Sequence, residues 1–221
     1  MSYDESDERW DRMHEDMLKS VSQDAVRYHL RTIGDAIEAL IKNCVAQAER
    51  LIELGFYSPA LVAAATAIEL IIRFLLVRPL VSGAFLSDEW AAILSEKIGS
   101  GRTDEDRRIL PELLAQWKIN LEKVVLPDGT LLWASLKGND GLIEKRNEVV
   151  HQGAEMTESD ARLAVQCVST MMNEIVYRIA AELGFTHDKT GCWCAIQTDH
   201  GYVNRHPAWD PIKGKPFTKP V

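Results

Sequence analysis

The chain lacks most of the short motifs that announce a familiar chemistry. It has no glycine-rich phosphate loop, no Gly-x-Ser-x-Gly elbow, no His-Glu-x-x-His and no βαβ nucleotide-binding pattern, so P-loop, serine-hydrolase, zincin and Rossmann chemistries are unsupported. Cysteine is scarce: Cys44, Cys167, Cys192 and Cys194 in 221 residues do not make the disulfide framework of a small secreted domain. The first residues are acidic and carry no apolar core, so they do not read as a signal peptide. Long apolar runs are almost absent. The one exception, Ala60–Val77, is interrupted by Glu69 and Arg73 and followed by Pro79, which reads as a core helix and not a membrane span. No internal repeat and no low-complexity block is present. A cytoplasmic protein is expected.

What is present suits one large domain, or one domain with appendages. Hydrophobic residues make up 46% and charged residues 26%, a globular balance. The net charge of −8 argues at first against a nucleic-acid partner. That charge is uneven: residues 1–17 carry −5 and residues 185–221 carry +2, so the middle leaves room for local basic patches.

Residues 1–21 form an acidic segment, either a frayed tail or a short helix with Trp10, Met13, Met17 and Leu18 along one edge. From about Asp24 to Leu54 the stripe Leu30, Ile33, Ile37, Leu40, Ile41, Cys44, Ala48, Leu51, Ile52 predicts a long amphipathic helix. Ser58-Pro59 offers an N-cap and a first helical residue for the apolar helix to Arg78. Thr66, Glu69 and Arg73 share one line on it, and Glu69 with Arg73 suits a structural ion pair. Short helices are expected from Ser87 to Ile98 and from Leu110 to Val124, with a capping box at Thr103–Asp106 and a turn at Pro127-Asp-Gly129. Thr157-Glu-Ser-Asp160 should cap a last long helix ending at Gly184. Cys44 and Cys167 read as small buried hydrophobes.

Leu142–Gly153, LIEKRNEVVHQG, contradicts itself as an ordinary helix. Leu142, Ile143, Val149 and Val150 share one side, and Arg146 lands in the middle of it. A guanidinium among apolar neighbours costs several kcal/mol unless it is paired or opens onto water. Asn147 and His151, four apart, share another face, and Gly153 offers a left-handed stop.

Arg146-Asn147-Glu-Val-Val-His151, the Ala-rich helix with Glu69 and the long helix that follows resemble the HEPN family of all-α proteins, many of which are ribonucleases. The resemblance spans roughly residues 24–184. It implies an antiparallel helical bundle over 22–184, and a dimer whose two motifs face each other across the interface. It further implies cleavage of RNA without metal or other cofactor, with Arg146, Asn147 and His151 as catalytic residues and Glu69 and Lys145 in support. An antitoxin or sensor protein is the implied further partner. The residue chemistry agrees. His151, with an ordinary pKa of about 6.5, can act as base or acid at neutral pH; Arg146 is a permanent planar cation that fits phosphate. Asn147 is placed to orient the imidazole or bond a phosphate oxygen. On an ideal helix, positions 146 and 151 diverge by about 140°. Either the helix ends near Val150 and His151 swings round, or two chains build the site. Two readings compete with the nuclease. In one, Arg146 merely pairs with Glu69 or Glu144 while His151 caps a helix end. In the other, the chain is a non-catalytic HEPN-like module that dimerises or binds a partner protein or nucleotide. The acidic N-terminus could cover a cationic cleft.

Residues 185–221 are an irregular extension in which Trp193–Thr198 and Tyr202–Arg205 suggest a small β-hairpin. Cys192, Cys194, His200 and His206, with His187 nearby, have ligand chemistry, but Cys-x-Cys is spaced for half a zinc site at best; no bound metal is expected.

Overall fold

The computed structural model describes residues 3–79, 110–111, 114–115, 117–137, 140–185, 187, 192–193, 209–210 and 215–216, with backbone alone at 3–22 and in the last two pairs. Nearly all of its regular structure is helical, as the apolar periodicity requires. The first helix, α1, spans Tyr3–Glu53. It is longer than its apolar stripe predicts: the acidic segment is neither a separate tail nor a short helix, but continues α1 without a break. Residues 3–23 contain no proline or glycine, so nothing there interrupts the hydrogen-bond ladder. From Val26 onward Leu30, Ile33, Ile37, Ile41 and Ala48 are buried. Leu40 is an exception to the expected stripe at 37% exposure, and Cys44 is only half-buried.

Helix α2, Tyr57–Leu70, continues into a π-helical stretch, Ile71–Val77. Ala60, Leu61, Ala64, Ala65, Ala67 and Ile68 are buried. The small side chains let neighbouring helices approach, and Tyr57–Leu70 packs against α1 and against the later helices Leu142–Gln152 and Glu158–Met171. By composition Tyr57–Val77 is long and apolar enough to cross a membrane, yet over half of that stretch is buried within the protein.

Two local expectations fail here. Ser58 is not the N-cap: Phe56 is, without a side-chain cap. The Ser58 hydroxyl instead donates to Ala154 O (3.3 Å) and accepts from Met156 N (2.9 Å). Glu69 does not pair with Arg73 but points to Arg146. The wider π turn that begins at Ile71 carries Arg73 off the line of Thr66 and Glu69, and its guanidinium lies 6.0 Å from the Phe74 ring.

The expected helix over 110–124 stops early. Leu110–Pro111 and Leu114–Ala115 are helical, but Lys118 takes φ 56 and Leu121–Lys123 is a 3₁₀ turn. The Asn120 side chain accepts from Glu122 N and starts that turn, the local competition with helix that Asn commonly offers. The turn at 127–129 forms as expected, with Thr130 N donating to Asp128 Oδ1 (2.9 Å) and Leu126 N to Thr130 O (2.7 Å). A short helix α3, Leu132–Leu136, follows, then α4, Leu142–Gln152.

Helix α5, Glu158–Met171, begins on the predicted capping box. Thr157 Oγ1 accepts from Asp160 N and the Asp160 carboxylate accepts from Thr157 N. A π-helical stretch Met172–Val176 leads into α6, Tyr177–Glu182. Cys167, Val168, Met171 and Ile175 are fully buried. The Ser87–Ile98 helix, the Thr103 capping box and the 193–205 hairpin lie outside the described residues, apart from Trp193. A two-residue antiparallel ladder joins β1, Trp209–Asp210, to β2, Lys215–Pro216.

Candidate functional site

Helix α4 carries the Arg-Asn-x-x-x-His motif. It starts after Gly141 with no side-chain cap and stops at Gly153, whose φ of 68° is the left-handed stop glycine adopts without strain. The expected core stripe is largely unfilled. Leu142 is buried, Ile143 and Val149 are half-buried, and Val150 is 49% exposed. The helix lies against α2 and α3 with most of its apolar side unsealed.

Arg146 is held from two sides. Its Nη1 donates to Asn147 Oδ1 at 3.2 Å, and its Nε lies 3.8 Å from Glu69 Oε1. That second distance is too long for a hydrogen bond, and Nε is buried with no hydrogen-bond partner. The side chain as a whole is 27% exposed. Asn147 spends its carbonyl on Arg146, not on orienting an imidazole.

His151 is exposed, inside the last turn of α4. Protonated, it suits the negative end of the helix dipole. Because α4 runs on to Gln152, the helix does not end early to swing His151 toward Arg146, and the ideal-helix divergence stands. One chain therefore brings Arg146, Asn147 and Glu69 together and leaves His151 apart. Lys145 is committed elsewhere, its ammonium bonded to Asp160 Oδ1. Burial pushes the Asp160 carboxyl up, but Lys145 and Thr157 outweigh it and hold it below the ordinary carboxylate range.

A groove of about 630 Å³ opens between α1, α2 and the turn after α4. Cys44 lines it, and burial raises that thiol's pKa. A second polar centre, not foreseen from the sequence, surrounds Glu38 on α1. Its carboxylate, 4% exposed, accepts from Trp193 Nε1 (2.9 Å) and Tyr177 OH (3.2 Å). It also meets Lys42 Nζ and His187 Nε2, each at 2.7 Å. Burial pushes this carboxyl up; Lys42, His187 and Trp193 more than compensate, so it titrates below the ordinary value. The available signal was Gly34 and Glu38, four apart beside the apolar stripe of α1. With every oxygen satisfied, this centre reads as a clamp holding His187 and Trp193 on the body.

Among the described residues no group of three His, Cys, Asp or Glu could hold a metal. Cys192 is disulfide-bonded, which leaves it no thiolate to give a metal; Cys194, His200 and His206 lie outside the described residues. No family model, no curated protein and no solved structure matches the chain. The functional reading rests on the residues themselves.

Proposed function

We propose that the protein is a metal-independent endoribonuclease of HEPN type, working as a homodimer on a HEPN-like bundle, in a toxin, stress or antiviral defence role. The observation that carries this reading is Arg146. It is a half-buried arginine with an unsatisfied Nε, held by Asn147 on a helix that also bears His151. A phosphate would satisfy that nitrogen and neutralise the charge.

In the proposed reaction His151 takes the proton of a ribose 2′-OH, or gives one to the leaving 5′-oxygen. The 2′-oxygen bonds to phosphorus, the P–O5′ bond breaks, and the products are a 2′,3′-cyclic phosphate and a free 5′-hydroxyl. Arg146 stabilises the pentacoordinate phosphate. The divergence of Arg146 and His151 along α4 supports a site built from two chains, with the exposed Val150 at the contact. An antitoxin or sensor protein would restrain such an activity.

The test incubates wild type and an Arg146→Ala/His151→Ala variant with cellular RNA in EDTA. Cleavage leaving cyclic-phosphate ends, lost in a variant of unchanged helicity and oligomeric state, is the expected result. Cleavage surviving in the variant would refute the assignment. Mixing the two single variants should restore activity if a working site takes Arg146 and His151 from different chains.

The second reading is a non-catalytic HEPN-like module that dimerises or binds a partner protein or nucleotide. Glu69 favours it, since a carboxylate 3.8 Å from Arg146 stands where a phosphate would go. It expects no RNA turnover and a dimer indifferent to His151.

A further inference from the structure

The groove beside α4 continues the site along one helix face. Arg146, Val149 and Gly153 stand at i, i+3 and i+7, so they share that face, and the last two line the groove. On the opposite wall α2 repeats the relation: Glu69 approaches Arg146, and Thr66 and Ala63, one and two turns earlier, line the groove. Arg146 and Glu69 therefore lie about one turn beyond the end of the groove lined by Val149 and Thr66. From Arg146 to Gly153 is roughly 10 Å along the helix at 1.5 Å per residue. That is about the reach from a phosphate to the far edge of a nucleobase.

The walls between these ends are mostly apolar, with Leu51 of α1 completing the slot. Few polar groups interrupt them. Thr66 is spent on Val62 O (2.8 Å). Ser58 is spent on the chain just beyond α4: it bonds Ala154 O and Met156 N, the residues on either side of Glu155. The peptide that carries Glu155 is thus held in place by a clasp from α2. Glu155 and Gln47 line the groove, and neither has a hydrogen bond or ion pair among the described residues. Both are exposed at the mouth of the slot, where an unpaired carboxylate and an amide can meet the polar edge of a ligand whose flat body enters it.

We infer that this groove takes one base of the RNA beside the cleaved phosphate, and that Glu155 selects guanine. A carboxylate presents two acceptors side by side. Guanine presents two adjacent donors, N1–H and the N2 amino group, on its Watson–Crick edge. Adenine and cytosine each place a ring acceptor next to their amino group, and uracil flanks its single N–H with two carbonyls. Guanine alone satisfies both oxygens, and the Gln47 amide can donate to its O6. Single-stranded RNA exposes these edges for reading. The inference rests on the ribonuclease reading of Arg146 and His151.

Two measurements separate the one from the other. Cleavage of short RNAs differing only in one base should favour guanine, and Glu155→Gln should cut the guanine-to-adenine preference by roughly tenfold or more, the discrimination a good bidentate contact gives. His151-dependent cleavage with no guanine preference, or with a preference that Glu155→Gln leaves unchanged, would overturn the inference and leave the nuclease standing. Binding of guanosine and adenosine 3′-monophosphates, followed by calorimetry, needs no turnover. Guanosine-selective binding lost in Glu155→Gln would support the pocket even if no RNA were cut. Equal or absent binding of both would overturn it.

Discussion

Alanine in place of glycine inside a helix is ordinarily a gain of about 1 kcal/mol, and Gly34 lies well inside α1. Here the sign should reverse. A Cβ on Gly34 would stand 2.5 and 2.6 Å from Cδ2 and Cδ1 of Trp193, and closer still to Cγ. No carbon tolerates that approach, so the indole must leave. Trp193 is fully buried. It packs edge-on to Phe185 with centroids 5.5 Å apart, its main-chain N–H donates to Asp35 Oδ1, and its indole N–H donates to Glu38. Emptying a buried tryptophan site costs about 3–5 kcal/mol. Set against the propensity gain, Gly34→Ala should destabilise by roughly 2–4 kcal/mol. The assay is urea unfolding of Gly34→Ala, Trp193→Ala and the double variant. In the Trp193→Ala background Gly34→Ala should become stabilising, a non-additivity that only a shared contact produces. If Gly34→Ala alone raises the urea midpoint, Trp193 does not occupy that notch and the reasoning is wrong.

His29 is half-buried on α1 with its Nε2 buried and unpartnered, and desolvation, reinforced by Arg78, lowers its pKa to about 4. Because the folded value lies below the unfolded one, stability is intact above about pH 6.5 and falls as the pH drops toward 4. The loss should reach at most about 3 kcal/mol, and His29→Leu should flatten that part of the stability–pH curve in urea titrations. Thr157→Ala removes one half of the capping box at α5 and should cost about 1 kcal/mol by thermal unfolding; an unchanged melting curve would show that α5 does not depend on its cap. For Glu69 and Arg146, a double-mutant cycle on stability should give a coupling below about 1 kcal/mol, since Glu69 is half-exposed and the contact is long. A larger coupling would mean that Arg146 is a structural partner of Glu69 and would favour the non-catalytic reading. The Cys167 thiol, raised to about 12 by burial and the charge of Asp128, should resist iodoacetamide in the native protein while Cys44 reacts slowly.

What the sequence made legible was local. The capping box at Thr157, the turn at 127–129 and, Leu40 excepted, the stripe of α1 each depend on residues a few places apart, and each formed where the pattern put it. What it hid was contact between distant residues. Ser58 looked like a cap because its neighbours in sequence suit one; its true partners are nearly a hundred residues away. Glu38 belongs to no local pattern, because the groups that bury it are Tyr177, His187 and Trp193, far along the chain. Glu69 and Arg73 had the right spacing for an ion pair, and a change of helix type from Ile71 onward removed it.

Helix α4 combines both cases. Its motif and its stop at Gly153 are visible in sequence, but its role depends on what its apolar side meets. Within one chain it commits only Leu142 fully to the core and leaves Val150 half in water. An 11-residue helix is marginal alone and is normally held by burying a face. A second copy laid on that face would bury Val150, shield Arg146 from water and supply the imidazole that α4 turns away from it. Assembly and catalysis would then draw on the same surface, and a variant such as Val150→Glu, which alters no proton-transfer group, should abolish both together, as read by gel filtration and RNA cleavage.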